Sequence, residues 1–355
     1  MKTPRVLTVG PDYRLLRGGI ASVLSSYKKF DPNFLFLPSV NHENKIVKLI
    51  RFPALLWKIF RTIKSHPEID LVHIHGASYS SFWRKYLIFL VAKRVCDRKV
   101  IYHIHGGGYE NFYRASNFIV KQYIRKLING ADCVICLSPE WVDFIERNFK
   151  PRKVEVLNNV IERPLKLKHG RQQREITNYL FLGDIVQRKG IFDVLVAMSQ
   201  LSDAKKSVTH LFIGGNGELE RLESQICEMG LEDNITILGW IEGEIKQKYL
   251  QASDVYILPS YSEGLPISIL EAMSYGKAII STRVGGIPQL VIDNVNGYLV
   301  TPGCPEDIAD KIALLSGNKS TINEFGSKST QFVEEYFPEK VSMRLNEIYD
   351  QVREG

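Results

Sequence analysis

Along nearly its whole length the chain alternates short apolar runs with segments of helical period, the pattern of βαβ units that feed parallel sheets. Runs at 5–10, 34–38, 70–75, 99–105, 132–137 and 153–157 read as strands, with helices between most of them. The polar stretch 162–178 breaks the pattern and reads as a linker. Beyond it the alternation restarts, with strands near 179–183, 208–213, 234–238, 254–258, 278–281 and 298–300. The fold class is therefore α/β, with parallel sheets in two Rossmann-like halves, 1–165 and 166–338. Pro338 opens a last helix, which carries residues 339–355 beyond the second alternation and is expected to pack back toward the first half. At 355 residues the chain exceeds the span that one hydrophobic core serves, so two domains fit its length as well.

The halves carry opposite charge. Residues 1–165 hold 27 basic and 13 acidic side chains, against 19 and 26 in the remainder. Lys45, Lys48, Arg51, Lys58, Arg61 and Lys64 follow one another without an acid. After Pro53 the period turns helical, with Leu55, Leu56, Ile59, Phe60 and Ile63 on one face, Lys58, Arg61 and Lys64 opposite, and Trp57 at the border. A second basic stretch runs from Ser81 to Lys85 and on through Lys93, Arg94, Arg98 and Lys99. Two readings stand: a surface that docks on anionic lipid headgroups, or solvated back faces of helices that cover a sheet. Nucleic acid is not expected as a partner, because no recognition motif accompanies the charge.

The longest plainly apolar run, Tyr86–Ala92, is far short of a membrane span, and the N-terminal run reads as a strand rather than a signal peptide. Five scattered cysteines are not a disulfide framework, and Cys133 and Cys136 read as core residues, since zinc wants a second such pair. A cytosolic protein, peripheral on the inner membrane face where it meets lipid, is expected.

In open α/β sheets ligands bind beyond the carboxyl ends of strands, so the loops there carry the chemistry. Gly18 and Gly19 open a helix and suit close approach of a phosphate to backbone amides. The segment Glu263-Gly264-Leu265-Pro266-Ile267 leads from a strand into a helix that carries Glu271, which can hold a vicinal diol. Arg188 and Lys189 can neutralise a pyrophosphate. His73-Ile74-His75 and His103-Ile104-His105 close two strands. A metal is one reading of these pairs, but no carboxylate or third ligand is evident, and His105 reaching a substrate hydroxyl is preferred.

Taken in order, Gly18-Gly19, His105-Gly106, Asn158-Asn159-Val160, Arg188-Lys189-Gly190, Gly214-Gly215-Asn216-Gly217, Glu263 through Glu271, and Val284-Gly285-Gly286-Ile287-Pro288 resemble the family-four retaining glycosyltransferases of the GT-B fold. The resemblance covers nearly the whole chain and is most specific from about 255 to 305. It implies two facing Rossmann-like domains, with a nucleotide-sugar donor bound mainly by the second and an acceptor bound mainly by the first; a lipid-linked saccharide is the acceptor expected here. By the same resemblance Glu263 lies against the donor sugar, Glu271 holds the ribose, and Arg188, Lys189 and the Gly19 amide contact the diphosphate. His105 contacts the sugar, Ile241 lies near the base, and the amides around Gly264, Leu265, Pro266 and Ile267 face the phosphates. No metal or other cofactor is expected, and the chain has no Asp-x-Asp.

Two positions depart from the family. Asp184 follows Gly183 where an arginine is usual, and Gln289 stands where a glutamate is usual. The leading expectation is a metal-independent retaining transferase acting in cell-surface polysaccharide synthesis, with Glu263, His105, Arg188 and Lys189 at the reaction. A sugar-nucleotide epimerase and a non-catalytic saccharide- or membrane-binding protein are the alternatives.

Overall fold

A computed structural model describes residues 5–16, 18–40, 45–105, 107–164 and 175–355, with backbone alone at 5 and 45–49. The chain divides into two compact units, residues 1–161 with 336–355, and residues 162–335. The first unit contains β1 (Arg5–Pro11), β2 (Leu35–Val40), β3 (Ile69–Gly76), β4 (Lys99–Ile104), β5 (Cys133–Cys136) and β6 (Val154–Val156). They form a parallel sheet in the order β2-β1-β3-β4-β5-β6. The order reverses between β1 and β3, the place where sheets of this kind bind ligands beyond the strand ends.

The second unit contains β7 (Thr177–Leu182), β8 (Thr209–Gly214), β9 (Ile235–Gly239), β10 (Val255–Leu258), β11 (Ala278–Thr282) and β12 (Gly297–Val300). Its parallel order is β12-β11-β10-β7-β8-β9, so the reversal lies between β7 and β10. The central strands are covered on both faces, which is why they read as unbroken apolar runs. Every residue of β7, β10 and β11 is buried.

The helix read as starting after Pro53 runs from Lys45 to Ser65 with Pro53 inside it. Pro53 is on the exposed side of the helix, where the carbonyl that loses its amide partner can turn to water. Ile59 and Ile63 are fully buried, and Leu55, Leu56 and Phe60 pack against the sheet core. The apolar face is thus taken by the protein, while Lys58, Arg61 and Lys64 are exposed beside Trp57.

The second basic stretch is not one surface. Lys85 is buried, Lys93 pairs with Asp132 at 2.6 Å, and Lys99 donates to the Val352 and Arg353 carbonyls at 2.9 Å. That last contact places a cation at the carbonyl end of the helix Pro338–Glu354, where the helix dipole favours it. This helix packs in the first unit against β3 and the helix Gly19–Phe30, burying Val341, Leu345, Ile348, Tyr349 and Val352.

Candidate functional site

The second unit gathers its charged side chains at the reversal between β7 and β10. After β7 the chain makes a short turn, Gln187–Lys189, that closes on Gly190 with φ +75°. A Cβ there would lie 2.1 Å from the Pro259 carbonyl oxygen, so only glycine lets this turn rest on the exit of β10. The Tyr261 amide donates to the Arg188 carbonyl at 2.9 Å, and the Arg188 guanidinium donates to the Ser262 carbonyl at 3.0 Å. Lys189 Nζ lies 2.6 Å from Glu263 Oε1, and Ser260 Oγ donates to the same oxygen at 2.7 Å. Arg188, Lys189 and Glu263, from two loops far apart in sequence, therefore share one site.

Gly285, with φ +53°, backs this loop; a Cβ there would lie 1.9 Å from the Glu263 carbonyl oxygen. The Gly286 amide donates to the Gly264 carbonyl at 2.6 Å. Leu265 is buried, and Pro266 caps the helix Ile267–Ser274 as its flanking residue. The Ile267 and Ser268 amides head that helix with no carbonyl four residues back to take them, which leaves them for an anion.

Glu271, one turn into the helix, is held by Lys246 of the helix Gly243–Ala252 at 2.6 Å. Lys246 gives no signal in the sequence: it lies on a polar helix among other charged residues. Ile241 packs at the end of β8, where a Cβ on Gly214 would come within 3.2 Å of it. Asp184 is exposed and takes no ion pair among the described residues.

In the first unit Gly18, with φ +111°, caps the helix Gly19–Phe30, and Gly19 is exposed at its first position; Arg17 and Gly106 lie outside the described residues. The histidines come together because β3 and β4 run in register, His75 beside His103. Residues 73, 75, 103 and 105 thus share one face, and the third imidazole that sequence alone left missing is supplied by the neighbouring strand. His73 Nε2 is 3.2 Å from His103 Nδ1, and His75 Nδ1 is 2.7 Å from His105 Nε2. His73 Nδ1 meets Tyr349 Oη at 2.8 Å, and Asn159 lies near the His105 ring and favours its protonated form.

Burial holds all four rings neutral: His73 and His105 titrate near about 3, and His75 and His103 well below their ordinary range. Lys85 strengthens this at His75 and His105. It lies on the helix Ser80–Leu90 with Phe82, Tyr86 and Phe89, is 2% exposed, and bonds Ser39 Oγ. Burial pushes its ammonium down to about 7.

Ring nitrogens of His73, His75 and His103 lie within 4.8 Å of one another, close enough to hold an ion. The rings, however, are stacked, His73 on His75 at 4.3 Å and beside His103 at 5.4 Å, nearly parallel to it at 9°. Stacked rings aim their lone pairs side by side rather than at one point, and the nearby Lys85 charge opposes a dication. A hydrogen-bonded ladder of neutral imidazoles fits these residues better than a metal centre.

Comparison with known proteins follows the same division. Residues 166–332 match the family described as glycosyl transferases group 1, and residues 26–163 match glycosyltransferase family 4. The chain is 25% identical over 330 residues to the uncharacterized glycosyltransferase MJ1178 of Methanocaldococcus jannaschii, covering 92% of this chain and 88% of that one. It is 25% identical over 222 residues to the amylovoran biosynthesis glycosyltransferase AmsK of Erwinia amylovora, covering 60% and 51%. In fold it is similar to Anabaena HepE, solved in complex with UDP, with a TM-score of 0.79, 17% identity, and coverage of 98% and 100%.

Proposed function

Because the chain belongs to the GT-B glycosyltransferases, with a family 4 domain followed by a group 1 domain, we propose that it transfers a sugar from a nucleoside-diphosphate donor with retention at the anomeric carbon. The acceptor is a saccharide carried on a lipid, in cell-surface polysaccharide synthesis. AmsK, named for amylovoran biosynthesis, supports the pathway class, and UDP in HepE supports the donor class.

The observation that carries this reading is the pair of carboxylate–lysine contacts at the β7/β10 reversal, Glu263 with Lys189 and Glu271 with Lys246. Their chemistry divides the donor between them. Glu271 accepts from the ribose hydroxyls. Arg188, Lys189 and the amides that head the helix Ile267–Ser274 meet the diphosphate and stabilise the negative charge that develops on it as the glycosidic bond breaks. Charge at the leaving group is thus met by cationic side chains and the helix terminus, and transfer proceeds without a metal. Glu263 supports the oxocarbenium-like sugar, and the acceptor hydroxyl attacks from the face the diphosphate leaves, a phosphate oxygen taking its proton. In the first unit the Gly19 amide and His105 serve the phosphate and the sugar.

No helix of the described residues is long and apolar enough to cross a membrane. Lys58, Arg61 and Lys64, with Trp57 beside them, form the face that meets anionic lipid, on the cytoplasmic side where the donor is made.

Incubation with UDP-, GDP- and ADP-sugars and a lipid-linked saccharide, followed by NMR of the product's anomeric linkage, tests the reading. A retained linkage is expected. An inverted linkage, a free epimer, or binding without turnover would each replace it.

A further inference from the structure

The ladder of histidines in the first unit contains a constraint on its protons. Two neutral imidazole nitrogens 2.7 Å apart, His75 Nδ1 and His105 Nε2, share one proton between them. If it belonged to His105, the proton of His75 would sit on Nε2, which is buried without a partner. That would leave an orphaned donor in the core. If it belongs to His75 Nδ1, the buried Nε2 is a bare lone pair, and an unmet acceptor is tolerated in a core better than an orphaned N–H.

The second row of the ladder follows the same rule. His103 Nε2 is also buried without a partner, so His103 donates from Nδ1 to His73 Nε2 at 3.2 Å, and His73 donates from Nδ1 to Tyr349 Oη at 2.8 Å. His73 stacks on His75 at 4.3 Å and His103 lies against His105 at 3.9 Å, so each ring of the pair is packed on one face.

We propose that His75 is a positioning residue: by donating to Nε2 of His105 it fixes that ring as the Nδ1–H tautomer, a hydrogen-bond donor toward a sugar hydroxyl and never an acid or base. The part played by the sugar rests on the transferase reading above; the tautomer does not. A free neutral imidazole prefers Nε2–H, so the protein here holds His105 in the less favoured form, and removal of His75 releases it.

The test uses the full chain labelled with 15N at histidine. Long-range 1H–15N spectra of the wild type are expected to show His105 with a bare Nε2 and a protonated Nδ1, unchanged between pH 5.5 and 8. In His75→Leu the ring is expected to pass to Nε2–H, with kcat about 10-fold lower and donor KM changed less than about twofold. His75→Asn places an amide N–H one bond beyond Cγ, as Nδ1 is, and is expected to keep the tautomer and return most of the turnover. Should His75→Leu fail to fold, the wild-type and His75→Asn spectra decide the matter. A wild-type His105 carrying Nε2–H, or a tautomer indifferent to His75, overturns the proposal. So does stoichiometric zinc that shifts the ring nitrogens of His73, His75 and His103 together. A chain that shows the tautomer and its dependence on His75 but transfers no sugar keeps the positioning and sinks the transferase reading.

Discussion

Lys189 Nζ and Glu263 Oε1 stand 2.6 Å apart with both side chains mostly buried, and Ser260 donates to the same carboxylate oxygen. On the function proposed above, the lysine assigned to the phosphate is held by the carboxylate assigned to the sugar. One ion pair would then couple the two assignments. Glu263→Gln, which keeps the shape and the Ser260 contact, is expected to lower turnover by at least about 10-fold while nucleotide affinity changes by less than about 1 kcal/mol. Calorimetry beside steady-state kinetics checks this, and a variant that loses only donor affinity would assign Glu263 to binding.

Glu271 is expected to behave in the opposite way. Its partner is Lys246, which holds the carboxylate from the neighbouring helix. Glu271→Ala should weaken nucleotide binding by roughly 1–3 kcal/mol, the worth of charged hydrogen bonds to two hydroxyls. Unchanged affinity for the nucleotide in calorimetry would remove the ribose role. Lys246→Met leaves Glu271 without its cation and should weaken the same binding by a smaller amount.

Lys85 makes stability depend on pH with a definite sign. Burial lowers its folded-state value to about 7 from 10.5, so between these two values the unfolded chain binds the proton and the folded chain does not. Stability contributed through this group rises as pH climbs from 7 to 10.5, and the penalty is fully present below pH 7. Lys85→Met should raise stability at pH 6 by about 3–5 kcal/mol, less whatever the Ser39 contact is worth, and should flatten the rise above pH 7. Urea melts at pH 6, 8 and 10 give the comparison, and an unchanged slope would show that Lys85 is not the group responsible.

Exchange of Lys58, Arg61 and Lys64 for glutamate should release the chain from vesicles rich in anionic lipid and leave binding of soluble nucleotide intact. The apolar side of their helix is already consumed by Ile59 and Ile63 in the core, so attraction here is chiefly electrostatic. Wild-type sedimentation with vesicles should therefore fall as salt shortens the Debye length below ~8 Å. Sedimentation blind to lipid charge and salt would leave these three cations as a solvated helix face.

The strands were legible because a strand covered on both faces reads as a run such as Val255–Leu258, and their spacing forces crossover helices. Glu263, Glu271, Arg188 and Lys189 were legible because the glycines and proline around them mark loop-to-helix junctions at strand ends. Lys85 was misread as surface charge, though its spacing from Phe82, Tyr86 and Phe89 places it on the apolar side of its helix. The histidine ladder was out of reach for a different reason: His75 meets His103 only through the register of two strands, which no local pattern states. Pro53 was taken as a helix boundary, and packing of Ile59 and Ile63 carried the helix through it.

The first unit is discontinuous: its core and its histidine ladder include Tyr349, from a helix that follows the whole of residues 162–335. On the ribosome this inverts the usual order of events. The second unit, continuous in sequence, has all its strands in hand before the first has its last helix. The sheet that is made first must wait, with β3 and the helix Gly19–Phe30 uncovered on one side, until residues 336–355 emerge. For about half of synthesis, the residues 1–161 that leave the ribosome first lack the helix that completes their unit.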